Sequence, residues 1–134
     1  MGVFGFFKKR KSELSREQKK WNKMWDLWAE NRADTPYAEV MTYQSEVNNG
    51  GHDQYFLNVE QTGDLQAEIS ILENALSEEL RSNLLTAYDA YQMLADKESD
   101  EEWEAILERC DDVFFKNEEE INRILKEYAS KIEL

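Results

Sequence analysis

A chain of 134 residues, 41% hydrophobic and with 16 aromatic side chains, can bury the core of one domain and is too rich in rings for a disordered polyelectrolyte. Its net charge of −13 is unevenly divided: residues 1–24 hold eight Lys/Arg against two Glu, and residues 25–134 hold eight against 27 Asp/Glu. The body therefore repels a phosphate polyanion, which excludes direct nucleic-acid binding by the folded part, and the lone Cys110 excludes an internal disulfide.

The first fourteen residues, MGVFGFFKKRKSEL, place a short apolar cluster ahead of a basic one. That order is wrong for a secretory signal, and Val3 to Phe7 is too short to span a bilayer. Phe6 stands where a myristoylation motif needs Ser or Thr. Two readings remain for residues 1–14 as an arm: weak contact of residues 1–11 with an anionic membrane, or a frayed segment drawn back onto the acidic body. The remainder, 15–134, reads as one acidic helical domain. With no export signal and one free thiol it is expected in the cytoplasm, peripheral at the membrane surface if the arm engages lipid.

Ser15 and Gln18 form a capping box, and Trp21, Met24, Trp25 and Trp28 follow on one face of a helix predicted over 16–31. Thr35 is the expected cap of a second helix, with Pro36 at its first position. Tyr37, Val40, Met41, Gln44 and Val47 keep helical spacing until Asn48-Asn49-Gly50-Gly51, where glycine or asparagine can take the left-handed conformation that closes a helix. Asp53 is expected to cap the next segment, to which Tyr55, Phe56 and Leu57 give apolar surface.

Thr62-Gly63-Asp64 breaks the pattern, and Leu65, Ile69, Leu72 and Leu76 resume it. Ser77 caps a helix whose inward face carries Leu80, Leu84, Tyr88 and Tyr91. After the polar run 95–100, Trp103, Ile106, Leu107 and Cys110 share one side of a helix. Glu101, Glu104, Glu108 and Asp111 share another, as a carboxylate ribbon. A last helix over 117–132 buries Ile121, Ile124, Leu125, Tyr128 and Ile132. No stretch alternates as a strand does, so the expected fold is all-α, a single compact domain of six or seven helices.

The run Asn48, Asn49, Gly50, Gly51, one residue, then Asp53, Gln54, Tyr55, Phe56 and, two positions on, Asn58 resembles the signature of the bacterial DNA-mimic protein family. Most members of this DMP-type family are known only as a domain of unknown function. Asp112-Val113-Phe114-Phe115, followed by Leu125 and Tyr128, is similar to its closing pattern, so the resemblance covers about residues 20–132. His52 stands where members usually carry an aromatic. The resemblance implies an all-helical fold and an acidic, dimeric protein that takes the place of DNA on a DNA-binding protein.

Catalysis is hard to assemble from these residues. One histidine and one cysteine lie 58 positions apart. His52 and Asp53 are sequence neighbours whose side chains diverge at a helix start, and zinc would need more nitrogen and sulfur ligands. Asp96, Glu98 and Asp100 begin like a calcium loop, but Glu101 stands where the turn needs Gly and Leu107 where it needs a bidentate acid. No catalytic, metal or cofactor residue is assigned, and no cofactor is expected. Duplex DNA carries one charge per ~1.7 Å of axis, whereas four carboxylates from Glu101 to Asp111 span roughly 15 Å. Mimicry would thus need several helices or a homodimer to present one continuous face. The expected function is a non-enzymatic acidic module, DNA-mimic-like, on the basic surface of a DNA-binding protein such as a transcription regulator. The alternatives are an immunity-type inhibitor of a basic nuclease toxin and, more distantly, a carboxylate-dependent hydrolase.

Overall fold

Local sequence signals start and stop most of the helices. A computed structural model describes residues 14–96 and 101–134; residues 1–13 of the expected arm, and 97–100 of the polar run, lie outside them. Six helices run through the described residues: α1 (Arg16–Ala29), α2 (Tyr37–Thr62), α3 (Leu65–Ala75), α4 (Glu78–Asp96), α5 (Glu101–Lys116) and α6 (Glu118–Ser130). Ser15 Oγ accepts the amide of Gln18 at 3.0 Å, and Asp64 Oδ1 accepts that of Ala67 at 3.1 Å, each satisfying an orphan donor of a first turn. The fold is all-α, as its periodicities imply. Among the described residues no helix is long and apolar enough to cross a membrane.

By their contacts the helices form two compact units. One holds the described residues up to Ala33 together with Lys126–Leu134. Here Lys20 and Lys23 donate to the carbonyls of Ser130 and Glu133 at 2.8 and 2.7 Å, cations meeting the carbonyl end of α6 as the helix dipole favours. The stripe expected on α1 forms, with Met24 fully buried and the three tryptophans half-buried in edge-to-face contact, at 6.4 Å for Trp21–Trp25 and 5.3 Å for Trp25–Trp28.

The larger unit, Asp34–Leu125, has its core between α2, α3, α4 and α5. Leu65, Ile69, Leu72 and Leu76 are all buried, as are Leu80, Leu84, Leu107, Cys110 and Phe114. α4 and α5 are the most closely packed pair. They run antiparallel, because Asn83 donates to the Cys110 carbonyl at 2.8 Å while Glu78 and Glu79, earlier in α4, share a groove with Val113, later in α5. Burial pushes the Cys110 thiol up to about 11, with Asp111 adding to the shift and Arg109 opposing it.

One expected cap is corrected. α2 begins at Tyr37 with Pro36 in the cap position and no side-chain cap, and Thr35 turns its hydroxyl to the Glu39 carboxylate at 3.4 Å. α2 itself is two helical segments, 37–49 and 52–62, joined by non-helical backbone at Gly50 and Gly51.

Candidate partner interface

The corner in α2 is held by side chains that come from far along the chain. Gly51 has φ +81° and ψ −178°, a conformation open essentially to glycine alone. A Cβ placed there would also lie 2.5 Å from Asp111 Oδ2. The absence of a side chain lets α5 approach the turn. Asp111 Oδ1 accepts the backbone N–H of His52 at 2.8 Å and its Nδ1–H at 2.6 Å. It therefore caps the second segment, the role expected of Asp53, which is exposed. The reason is geometric: the chain turns at Gly51, so the first free amide belongs to His52 and faces α5.

His52 is fully buried, and its Nε2 lies 2.6 Å from the Tyr43 hydroxyl. Burial, reinforced by Tyr55, Cys110 and Asp111, raises Tyr43 well above the ordinary tyrosine range, so the phenol keeps its proton. With Nδ1–H donating to Asp111 and Nε2 accepting from Tyr43, every group in this chain of three is satisfied. The imidazole also contacts the rings of Tyr43, Phe56 and Phe114 at 5.5 to 6.1 Å. The histidine thus fits an aromatic cluster while gaining two hydrogen bonds. Asp–His–Tyr in a row resembles a proton relay, but both ring-bearing members have no solvent exposure for a substrate to reach.

The rest of the motif forms a polar clasp around the same corner. Gln54 and Asn58 donate to Glu46 Oε2 at 3.0 and 2.6 Å, bridging the two segments of α2. Asn48 donates to Glu118 Oε2 at 2.7 Å, and Gln44 donates to Glu118 at 3.1 Å and to Asn122 at 2.8 Å, tying α2 to α6 within this unit. Tyr55 and Phe56 are core residues, with Phe56 against Tyr88 and Tyr91 at 5.5 and 5.1 Å. Asn49 is exposed. Sequence reading missed Tyr43, Glu46 and Glu118 as working members of this arrangement.

What remains for a partner is the outer face. Glu101, Glu104 and Glu108 are exposed along α5 and make no ion pair among the described residues. Asp111 leaves the expected ribbon: its side chain is only 24% exposed and is committed to His52. At about 100° per residue it is the ribbon member nearest the buried stripe of Leu107, Cys110 and Phe114. On a different side of α5, where Val113 lies about 150° round the helix from Glu101, Glu104 and Glu108 at 100° per residue, a shallow groove of about 610 Å³ against α4 is lined by Glu78, Glu79, Ser82, Asn83, Thr86 and Val113. Residues 34–125 carry 23 Asp/Glu against five Lys/Arg, a net of −18. In the other unit a groove of about 620 Å³ is lined by Arg16, Lys20, Trp21 and Lys126, so charge is segregated between the units. No group of three or more His, Cys, Asp or Glu among the described residues has the arrangement of a metal site.

A family described as DMP19-like protein matches the chain over residues 12–132. Comparison with curated proteins and with solved structures gave no match.

Proposed function

Because the chain belongs to the DMP19-like protein family, we propose that it is a non-enzymatic, DNA-mimic-like module that occupies the basic surface of a DNA-binding protein such as a transcription regulator. The observation that carries this reading is the −18 charge of residues 34–125, together with Glu101, Glu104 and Glu108 standing exposed along α5 with no ion pair among the described residues. Three carboxylates over roughly 10 Å of one helix are sparser than the ~1.7 Å charge spacing of duplex DNA. Glu78 and Glu79 line a separate acidic groove between α4 and α5, and a homodimer would double the number of carboxylates presented. The buried state of Tyr43 and His52 supports binding over catalysis, since the relay-like arrangement they form with Asp111 is sealed at both rings.

The partner is a basic protein in the cytoplasm, steered by long-range attraction that is screened beyond about 8 Å at physiological salt. Affinity capture from a lysate at low salt tests this. A basic DNA-binding protein that elutes as salt is raised supports the reading, and a nuclease silenced by the protein would move it to the immunity-type alternative. Reversal of Glu101, Glu104 and Glu108 to Lys leaves helicity intact and releases the partner. Capture that is indifferent to salt and to the triple reversal would remove the acidic face from the mechanism.

A further inference from the structure

Where the end of α2 and the turn into α3 meet α4, an open groove of about 520 Å³ has a lining that includes Glu60, Asp64, Tyr88 and Tyr91. Tyr88 and Tyr91 stand at i and i+3, neighbours on one face of α4. The fully buried Phe56 touches both tyrosine rings, with centroids 5.5 and 5.1 Å away, so they are held from the core while each stays partly open to solvent. Glu60 and Asp64 are exposed. The Tyr91 hydroxyl donates to Glu60 Oε2 at 2.7 Å, and Asp64 Oδ1 accepts the amide of Ala67 at 3.1 Å. These bonds position both carboxylates and use one oxygen of each, and neither acid has an ion pair among the described residues. Burial, then the bond to Glu60, pushes the Tyr91 phenol up to about 12, so at neutral pH it keeps the proton it donates.

Two positioned carboxylates beside two partly open phenol rings select by charge and by shape. Anions are repelled, and two carboxylates are too few ligands for a hard divalent ion. An ammonium and a guanidinium are both attracted to acid and ring. The guanidinium is flat, so its face can lie on a tyrosine ring while N–H groups at its edge reach carboxylates, and it is more weakly hydrated than a compact ammonium. We propose that Glu60, Asp64, Tyr88 and Tyr91 form a seat for one arginine side chain of the basic partner protein, its guanidinium laid on the rings and bonded at its edge to the two carboxylates. The unit that carries the groove has a net charge of −18, so the attraction that brings in a basic partner also serves the seat. The seat rests on the reading that the partner is basic, and it names the residue that partner presents at one point of the contact.

The test titrates N-acetyl-arginine amide into the full chain carrying ¹³C-labelled tyrosine rings and follows it by NMR. Saturable shifts are expected at Tyr88 and Tyr91, with the fully buried Tyr43 and Tyr55 unmoved as internal controls. N-acetyl-citrulline amide, of the same shape without the charge, should shift nothing, and N-acetyl-lysine amide should bind more weakly. Glu60→Gln and Asp64→Asn should each weaken the arginine probe about threefold, and the double variant about tenfold. Asn caps a helix as Asp does and Glu60 is exposed, so the double variant should fold and keep the melting temperature of the parent within a few degrees. The absence of saturable shifts, an equal response to citrulline or to lysine, or parent-like binding by the folded double variant would overturn the seat. Its failure is separable from that of the mimic reading. If the arginine probe binds but a captured partner keeps its DNA, the seat stands and the mimic falls; if the double variant displaces DNA as well as the parent does, the mimic stands and the partner does not use the seat.

Discussion

Replacing Gly51 with Ala perturbs the corner in two ways whose sizes can be worked out separately. The backbone at φ +81°, ψ −178° would cost a residue with a Cβ about 1–3 kcal/mol. The new methyl would lie 2.5 Å from Asp111 Oδ2, so the carboxylate must withdraw and loosen two bonds to His52 at 2.8 and 2.6 Å. Bonds to a charged acceptor contribute about 1.5–3 kcal/mol, less where solvent can replace them. Together the substitution should cost about 3–5 kcal/mol, or a fall in Tm of roughly 10 °C or more. Gly50 is the internal control. Its φ of −157° is extended backbone open to any residue, and an added Cβ meets the Gln54 side chain, whose bond to Glu46 is the main loss. Gly50→Ala should cost about 1 kcal/mol. Urea denaturation of the two variants, followed by far-UV circular dichroism, makes the comparison. Equal midpoints, or a Gly51→Ala protein within about 1 kcal/mol of the parent, would refute the role given to the turn and to Asp111.

Three further outcomes follow from buried groups. His52→Phe restores an aromatic to the ring cluster but leaves the Tyr43 hydroxyl unpaired, so it should destabilise by about 1–3 kcal/mol, and adding Tyr43→Phe should recover part of the loss in a double-mutant cycle. Glu68 is raised above its ordinary 4.5 by burial and then by Glu39, so the folded state holds its proton to higher pH than the unfolded chain does. Its contribution to stability is full below the unfolded pKa and is lost as pH rises through the folded one; Glu68→Gln should flatten that fall between the parent and variant curves of unfolding free energy against pH. Cys110, buried and raised to about 11, should react with a thiol reagent at pH 8 only as fast as the protein opens, and a rate equal to that of an exposed thiol would contradict its placement.

The elements were legible because their signals are local. Ser15 announces a first turn, Thr62-Gly63-Asp64 interrupts the helical pattern, apolar residues at i, i+4 and i+7 mark the face that Leu65, Ile69 and Leu72 bury, and two glycines interrupt a helical pattern at the corner. What the sequence could not convey is which distant group faces which. Helical spacing puts Asp111 on the same side as Glu104 and Glu108, but His52 lies 59 residues away and only the packing of α5 on α2 brings the two together. The same holds for Glu46 and Glu118, indistinguishable in a row of acids from those that solvate a surface until Gln54, Asn58 and Asn48 are found bonded to them. Tyr55 reads correctly as a core residue. That its hydroxyl is buried without a hydrogen-bond partner is a matter of tertiary packing, which no periodicity specifies.

The most direct measurement is a competition: a captured basic partner bound to fluorescently labelled DNA, titrated with this protein at low salt and read by anisotropy. If the acidic unit takes the place of DNA, the label should be released stoichiometrically, release should weaken as salt is raised, and the Glu101, Glu104 and Glu108 reversal should release far less. A ternary complex, in which anisotropy stays high or rises as the protein binds the partner beside its DNA, would contradict replacement of DNA by this surface.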